Sequence, residues 1–137
     1  MSYVIPASEP ESKFVVAVYA SHKMQIIYDT ITIDDIKKML GNFFDDMVKA
    51  VVDVERRIVA VDAEMHADLE QYLLDDGSKQ SDLWGVNIIP DAAEEKDFIV
   101  FDSIINLKPH QYNRKMYVED ANMRDKIIKV VKERIVK

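Results

Sequence analysis

Two runs rich in β-branched residues, Met47–Val54 and Ile58–Val61, are separated only by Glu55, Arg56 and Arg57. Val and Ile are stiff at χ1 and suit a pleated strand better than a helix. Parallel neighbours need a crossover of a dozen or more residues, so an antiparallel hairpin is the simplest reading of two strands this close. The turn lacks the Asn-Gly or Asp-Gly pair that favours tight hairpins. An antiparallel sheet is therefore the frame into which the rest of the chain must fit.

A second hairpin is expected from Leu83–Ile89 and Phe98–Leu107, joined by the acidic, helix-poor stretch Pro90–Lys96. Alternation places Ile99, Phe101, Ser103, Ile105 and Leu107 on one face of the last run, and Phe98, Val100, Asp102, Ile104 and Asn106 on the other. Both faces are largely apolar, as in a central strand or the edge of a dimer interface. Asp102 and Asn106 would then need polar partners if buried, with Arg114 a fitting partner. Trp84, at the start of its strand, reads as half-buried core.

Three helices are expected. Thr32 and Asp35 make an approximate capping box ahead of Ile33, Ile36, Leu40 and Phe43/Phe44, with Gly41 weakening the far end. Glu64–Asp75 carries Met65, Leu69, Tyr72 and Leu73 on one side and stops at Gly77. Asp120 caps a final helix with a stripe of Met123, Ile127, Val131 and Ile135, and basic residues load its C-terminal half. The fold class is α+β: a mostly antiparallel sheet of four to six strands with about three helices on one face. Residues 24–137 form one domain. Residues 1–23 form a partly flexible extension: Met1–Lys13 contains Pro6, Pro10 and three serines, and Phe14–Ala20 reads as a candidate extra strand.

Composition excludes more than it includes. The 137 residues hold no cysteine, which removes thiol catalysis, zinc ribbons, iron–sulfur clusters and disulfides. The formal charge of -7 argues against nucleic-acid binding, which depends on neutralising phosphates. No apolar run has the ~18 residues a membrane span needs. Glu9 and Glu11 outnumber Lys13 before Phe14–Ala20, the wrong balance for a secretory leader, so the expected location is the cytoplasm. Only three glycines occur, Gly41, Gly77 and Gly85, and they spell no phosphate loop, dinucleotide fingerprint or nucleophile elbow. No cofactor is predicted.

Two polar clusters remain. Lys108-Pro-His-Gln-Tyr-Asn-Arg-Lys115 contains no acid, and from Lys108 onward nine Lys/Arg face four Asp/Glu, against nine and twenty-one before it. Lys108, His110, Asn113, Arg114 and Lys115 are therefore candidates for contacting an anion or a partner's carboxylate. The other cluster is Asp62, Glu64, His66 and Asp68, which offers acid/base or metal-binding groups in a spacing that matches no established ligand signature. No metal is assigned to it.

Several blocks together resemble a family of small prokaryotic proteins known only as a domain of unknown function. They are Asp46–Glu55, Glu64–Asp68, Leu73–Gly85, Phe101–Pro109, Asn113-Arg114 and Val118–Asp120. The family pattern carries Ser after Asn-Arg, where this chain has Lys115. The resemblance spans Met24 to the end and implies no activity. The residues themselves point first to a binding or interaction protein with an anion-contacting loop. Its partner would be a protein or a small anionic ligand, and its state a homo-oligomer. The alternative is a small hydrolase or transferase acting on a phosphorylated or carboxylated substrate, with metal assistance from the Asp62 cluster. That alternative requires an imidazole and the basic loop to meet in one pocket.

Overall fold

The computed structural model describes residues 24–93 and 95–137. The strand expected over Phe14–Ala20 lies outside them. Five strands form one antiparallel sheet: β1 (Gln25–Ile27), β3 (Val48–Asp53), β4 (Ile58–Val61), β5 (Leu83–Ile88) and β6 (Ile99–Val100), in the order β1-β4-β3-β5-β6. A small parallel pair, β2 (Ile31–Thr32) with β7 (Ile135–Val136), ties the start of the described chain to its end. The helices are α1 (Ile33–Lys37), α2 (His66–Asp75) and α3 (Ala121–Arg134). The fold is α+β.

The β3–β4 hairpin forms without Asn-Gly because Asp53 builds the turn. Its Oδ1 accepts from the backbone N–H groups of Glu55 and Arg56 at 2.9 and 2.8 Å, and Arg57 takes a left-handed φ of 60°. Thr32 and Asp35 make the capping box, but α1 ends at Lys37 and the chain then turns through Gly41 (φ 91°). At the end of α2, Gly77 (φ 105°) lets the Ser78 N–H reach back to the Leu73 carbonyl at 2.9 Å, a Schellman closure. Asp120 caps α3 by accepting from the Asn122 N–H at 2.9 Å.

The helices lie on both faces of the sheet, which corrects the expectation of one. Ala50, Val52, Val59, Val61, Trp84, Val86 and Ile88 share a core with Ile127, Val130, Val131 and Ile135, on the side of α3. Val51, Ile58, Ala60 and Leu83 pack with Leu69 and Leu73 of α2 on the other side. A strand buried on both faces reads as a continuous apolar run, and such a run conceals how many layers cover it. Trp84 is correspondingly core, 3% exposed.

A second correction concerns Phe98–Leu107. Pairing with β5 extends only to Val100, and the chain then leaves the sheet. Asp102 bridges Tyr117 instead, Ile104–Asn106 forms a 3-10 turn, and Lys108 exchanges both backbone hydrogen bonds with Asn113. The segment from Phe101 to Val118 is thus an irregular antiparallel excursion beside the free half of β5. Among the described residues, no helix is long and apolar enough to cross a membrane.

Candidate interaction surface

Two buried asparagines hold this excursion in shape. Asn106, fully buried, takes the place of a neighbouring strand for Gly85: its Oδ1 accepts from the Gly85 N–H at 2.8 Å and its Nδ2 donates to the Gly85 carbonyl at 2.9 Å. The same Nδ2 donates to the Met116 carbonyl at 3.0 Å. Asn113 Nδ2 donates to the carbonyls of Asn106, Lys115 and Tyr117 at 2.8, 2.8 and 3.0 Å, and its Oδ1 accepts from the Glu119 N–H at 2.8 Å. A loop cannot lie on a protein with its backbone groups unmet, and these amides supply what a regular ladder would.

Gly85 permits the arrangement. A Cβ there would stand 2.5 Å from Ser103 Cβ and 2.6 Å from Ser103 Oγ. The glycine serves close approach of two backbones, a use distinct from left-handed geometry.

The predicted anion-binding residues divide between the two sides of the loop. Lys108 is fully buried; its Nζ donates to the Gln80 carbonyl at 2.7 Å and lies 5.3 Å from the centre of the Trp84 ring. Burial holds its pKa below the usual lysine value, opposed by the nearby carboxylates of Glu70 and Asp82. Lys108 and Asn113 are therefore engaged inside the protein. His110, Arg114 and Lys115 point outward, and among the described residues their side chains make no ion pair or hydrogen bond. Asp102 is also exposed and forms no pair with Arg114. Replacing Arg114 by alanine should leave unfolding free energy within about 0.5 kcal/mol of the parent by denaturant titration, as for a solvated side chain.

The outward side carries exposed apolar side chains, of which Ile104 and Leu107 lie in the run expected as a strand. Ile104, Leu107, Tyr112, Met116 and Tyr117 are 67, 43, 84, 49 and 42% exposed. They are five of the eight exposed large hydrophobic side chains among the described residues. Tyr117 is fixed edge-on to Phe101, with the Arg124 guanidinium 5.1 Å from its ring centre. Ile104 and Leu107 belong to opposite faces of the expected strand Phe98–Leu107, and departure of the chain from the sheet exposes both.

The second predicted cluster does not converge. Glu64 and Asp68 are exposed, whereas Asp62 and His66 are each 6% exposed. Asp62 adopts φ 78° and its Oδ2 accepts from Asn42 Nδ2 at 2.9 Å. His66 Nε2 lies 2.8 Å from the Val86 carbonyl, which makes Nε2 the protonated nitrogen. Among the described residues no three His, Cys, Asp or Glu side chains form a group that could hold a metal ion.

Burial lowers the His66 pKa to about 4, only partly offset by the Val86 carbonyl. The ring is neutral at pH 7. The unfolded chain, with the ordinary value of 6.5, binds the proton more readily. The stabilising contribution is complete above pH 6.5 and is lost as pH falls through 4, amounting to about 3 kcal/mol. Denaturant titrations at pH 7 and pH 4 should show this loss in the parent and a smaller one in His66→Gln.

No curated protein shows a significant match to this chain. No solved structure does so either. A family model described as "Protein of unknown function (DUF5674)" matches residues 25–134, and the chain belongs to that family.

Proposed function

We propose that this protein is a binding module whose contact surface is the outward side of Ile104–Tyr117. The observation that carries the reading is the concentration of exposed Ile, Leu, Met and Tyr side chains on one loop, braced from within by Asn106 and Asn113. Contiguous exposed apolar surface is characteristic of interaction sites. A loop fixed by internal hydrogen bonds loses little further freedom on binding.

A small anion is a poorer match than a protein. The Arg114 N–H already donates to Glu119 Oε2 at 2.7 Å, and the Asp120 carboxylate occupies the start of α3. Both carboxylates stand where an anion clamp would need free N–H groups. The enzyme alternative draws no support from His66, which is neutral, buried and donating to a carbonyl. The reason for expecting a homo-oligomer, a two-faced strand at Phe98–Leu107, disappears with that strand.

The reading is tested by placing a photo-crosslinking residue at Tyr112 and, separately, at Tyr72 of α2, in the cells that make the protein. Tyr112 should give a discrete heteromeric adduct that Leu107→Asp abolishes. Equal adducts from both positions, or none from Tyr112, would remove the proposal.

A further inference from the structure

We propose that Asp76-Gly77 is a modification site at which isoaspartate forms, and that the hold of Tyr28 and Arg56 on the Asp76 carboxylate sets how fast. It is the one place in the 137 residues where Asp or Asn precedes Gly. In such a pair the glycine nitrogen attacks Cγ of the acid. A C–N bond forms, the carboxyl C–O bond breaks, and the amide proton leaves with the carboxyl hydroxyl as water. The product is a five-membered succinimide. Water then opens either ring carbonyl, which restores aspartate or leaves the main chain running through Cβ and Cγ. Glycine favours the attack because no Cβ crowds its nitrogen. Water is the only co-reactant.

The fold presents this pair to solvent yet restrains both reacting groups. Asp76 and Gly77 are exposed, directly after α2. Tyr28 OH donates to Asp76 Oδ1 and Arg56 Nη2 donates to Oδ2, each at 2.7 Å. Arg56 is itself held: its backbone N–H donates to Asp53 Oδ1 at 2.8 Å and its Nη1 donates to Ser78 Oγ at 2.7 Å. The connection from β1 to β2, the β3–β4 turn and the end of α2 thus meet at one carboxylate. Arg56 and then Tyr28 hold the Asp76 carboxyl below the usual carboxylate range, so the hydroxyl that must leave is seldom present. The Gly77 N–H donates to the Leu74 carbonyl at 3.1 Å, and the Asp76 ψ of 0° turns that nitrogen away from Cβ. Ring closure therefore needs rotation about the Asp76 Cα–C bond, which breaks the end of α2. The added main-chain methylene would also displace the Ser78 N–H from the Leu73 carbonyl, now at 2.9 Å.

The test incubates the full chain at neutral pH, below its unfolding transition. Isoaspartate is counted by methylation with an isoaspartyl methyltransferase and located by electron-transfer fragmentation. The parent should form it at residue 76 about tenfold more slowly than a free peptide of residues 70–82, and the double variant Tyr28→Phe, Arg56→Ala should recover most of that factor. Asp76→Glu cannot close a five-membered ring and should give no signal there. A double variant as slow as the parent would overturn the role of the clamp, as would equal rates in the parent and the free peptide. The parent is also incubated in the urea concentration that lowers its stability to that of the double variant. Equal acceleration under that condition would assign the effect to global unfolding and overturn the clamp. Peptide that converts while residue 76 stays unmodified in both full-length proteins would overturn the site itself.

Discussion

Alanine at Gly85 is expected to destabilise the protein by about 4 kcal/mol, from overpacking and from weakened hydrogen bonds to a buried side chain. The added methyl would sit 2.5 Å from Ser103 Cβ, 2.6 Å from Ser103 Oγ and 3.1 Å from Ile105 Cγ1. Ser103 is 2% exposed and has no space to retreat into. Its movement would drag the Ile104–Asn106 turn away from β5 and stretch both bonds between Asn106 and Gly85. Urea titration measures the effect. A companion substitution identifies its cause: Ser103→Gly removes the two nearest atoms and should restore at least about half of the loss in the double variant, a coupling expected for residues in direct contact. If Ser103→Gly adds its own cost with no recovery, the cause lies elsewhere than in the close approach.

Alanine at Asn106 is expected to cost about as much, roughly 4 kcal/mol, by a different route. The side chain is fully buried and meets Gly85 N–H, Gly85 carbonyl and Met116 carbonyl at 2.8, 2.9 and 3.0 Å. Each buried group left unpaired costs about 1–3 kcal/mol. Asn106→Asp separates donation from acceptance. A carboxylate can still accept from the Gly85 N–H, but it confronts two carbonyl oxygens with charge. Asn106→Asp should therefore be at least as damaging as alanine at pH 7. Unfolding titrations on both variants, with amide shifts for residues 104–117, should report lower stability and a loosened contact loop together. A stable Asn106→Ala protein with unchanged loop signals would mean that these bonds do not hold the surface in place.

Local chemistry settled much of the framework before any packing was known. Short spacing between the runs at Met47–Val54 and Ile58–Val61 leaves an antiparallel hairpin as the simplest pairing, and the two strands do pair that way. The caps at Thr32 and Asp120, and Gly77 at the end of α2, act within a few residues, so their partners are near in sequence and legible there. The stripe of α3 is equally local: Ile127 and Val131 share one side because of the helical repeat, whereas Ile135, expected as part of that stripe, lies in β7.

The candidate surface was legible only in part. Lys108, His110, Asn113, Arg114 and Lys115 stand together along the chain, but charge and proximity in sequence do not reveal which side chains turn inward. Tertiary structure decided that Lys108 reaches Gln80 and Trp84 and that Asn113 binds carbonyls of its own loop, while Arg114 remains in solvent. The same holds for Phe98–Leu107, whose apolar alternation predicts a strand. The β5 edge there is instead met by the Asn106 side chain, and Ser103 is seated over Gly85. By itself the sequence determined the β3–β4 hairpin, the caps at Thr32 and Asp120, the stop at Gly77, and the chemistries that the residue types exclude, because those depend on residues close together or on composition. Tertiary structure alone decided that both faces of the sheet are covered and that one loop turns its apolar side chains outward, because burial and hydrogen-bond satisfaction depend on residues far apart in the chain.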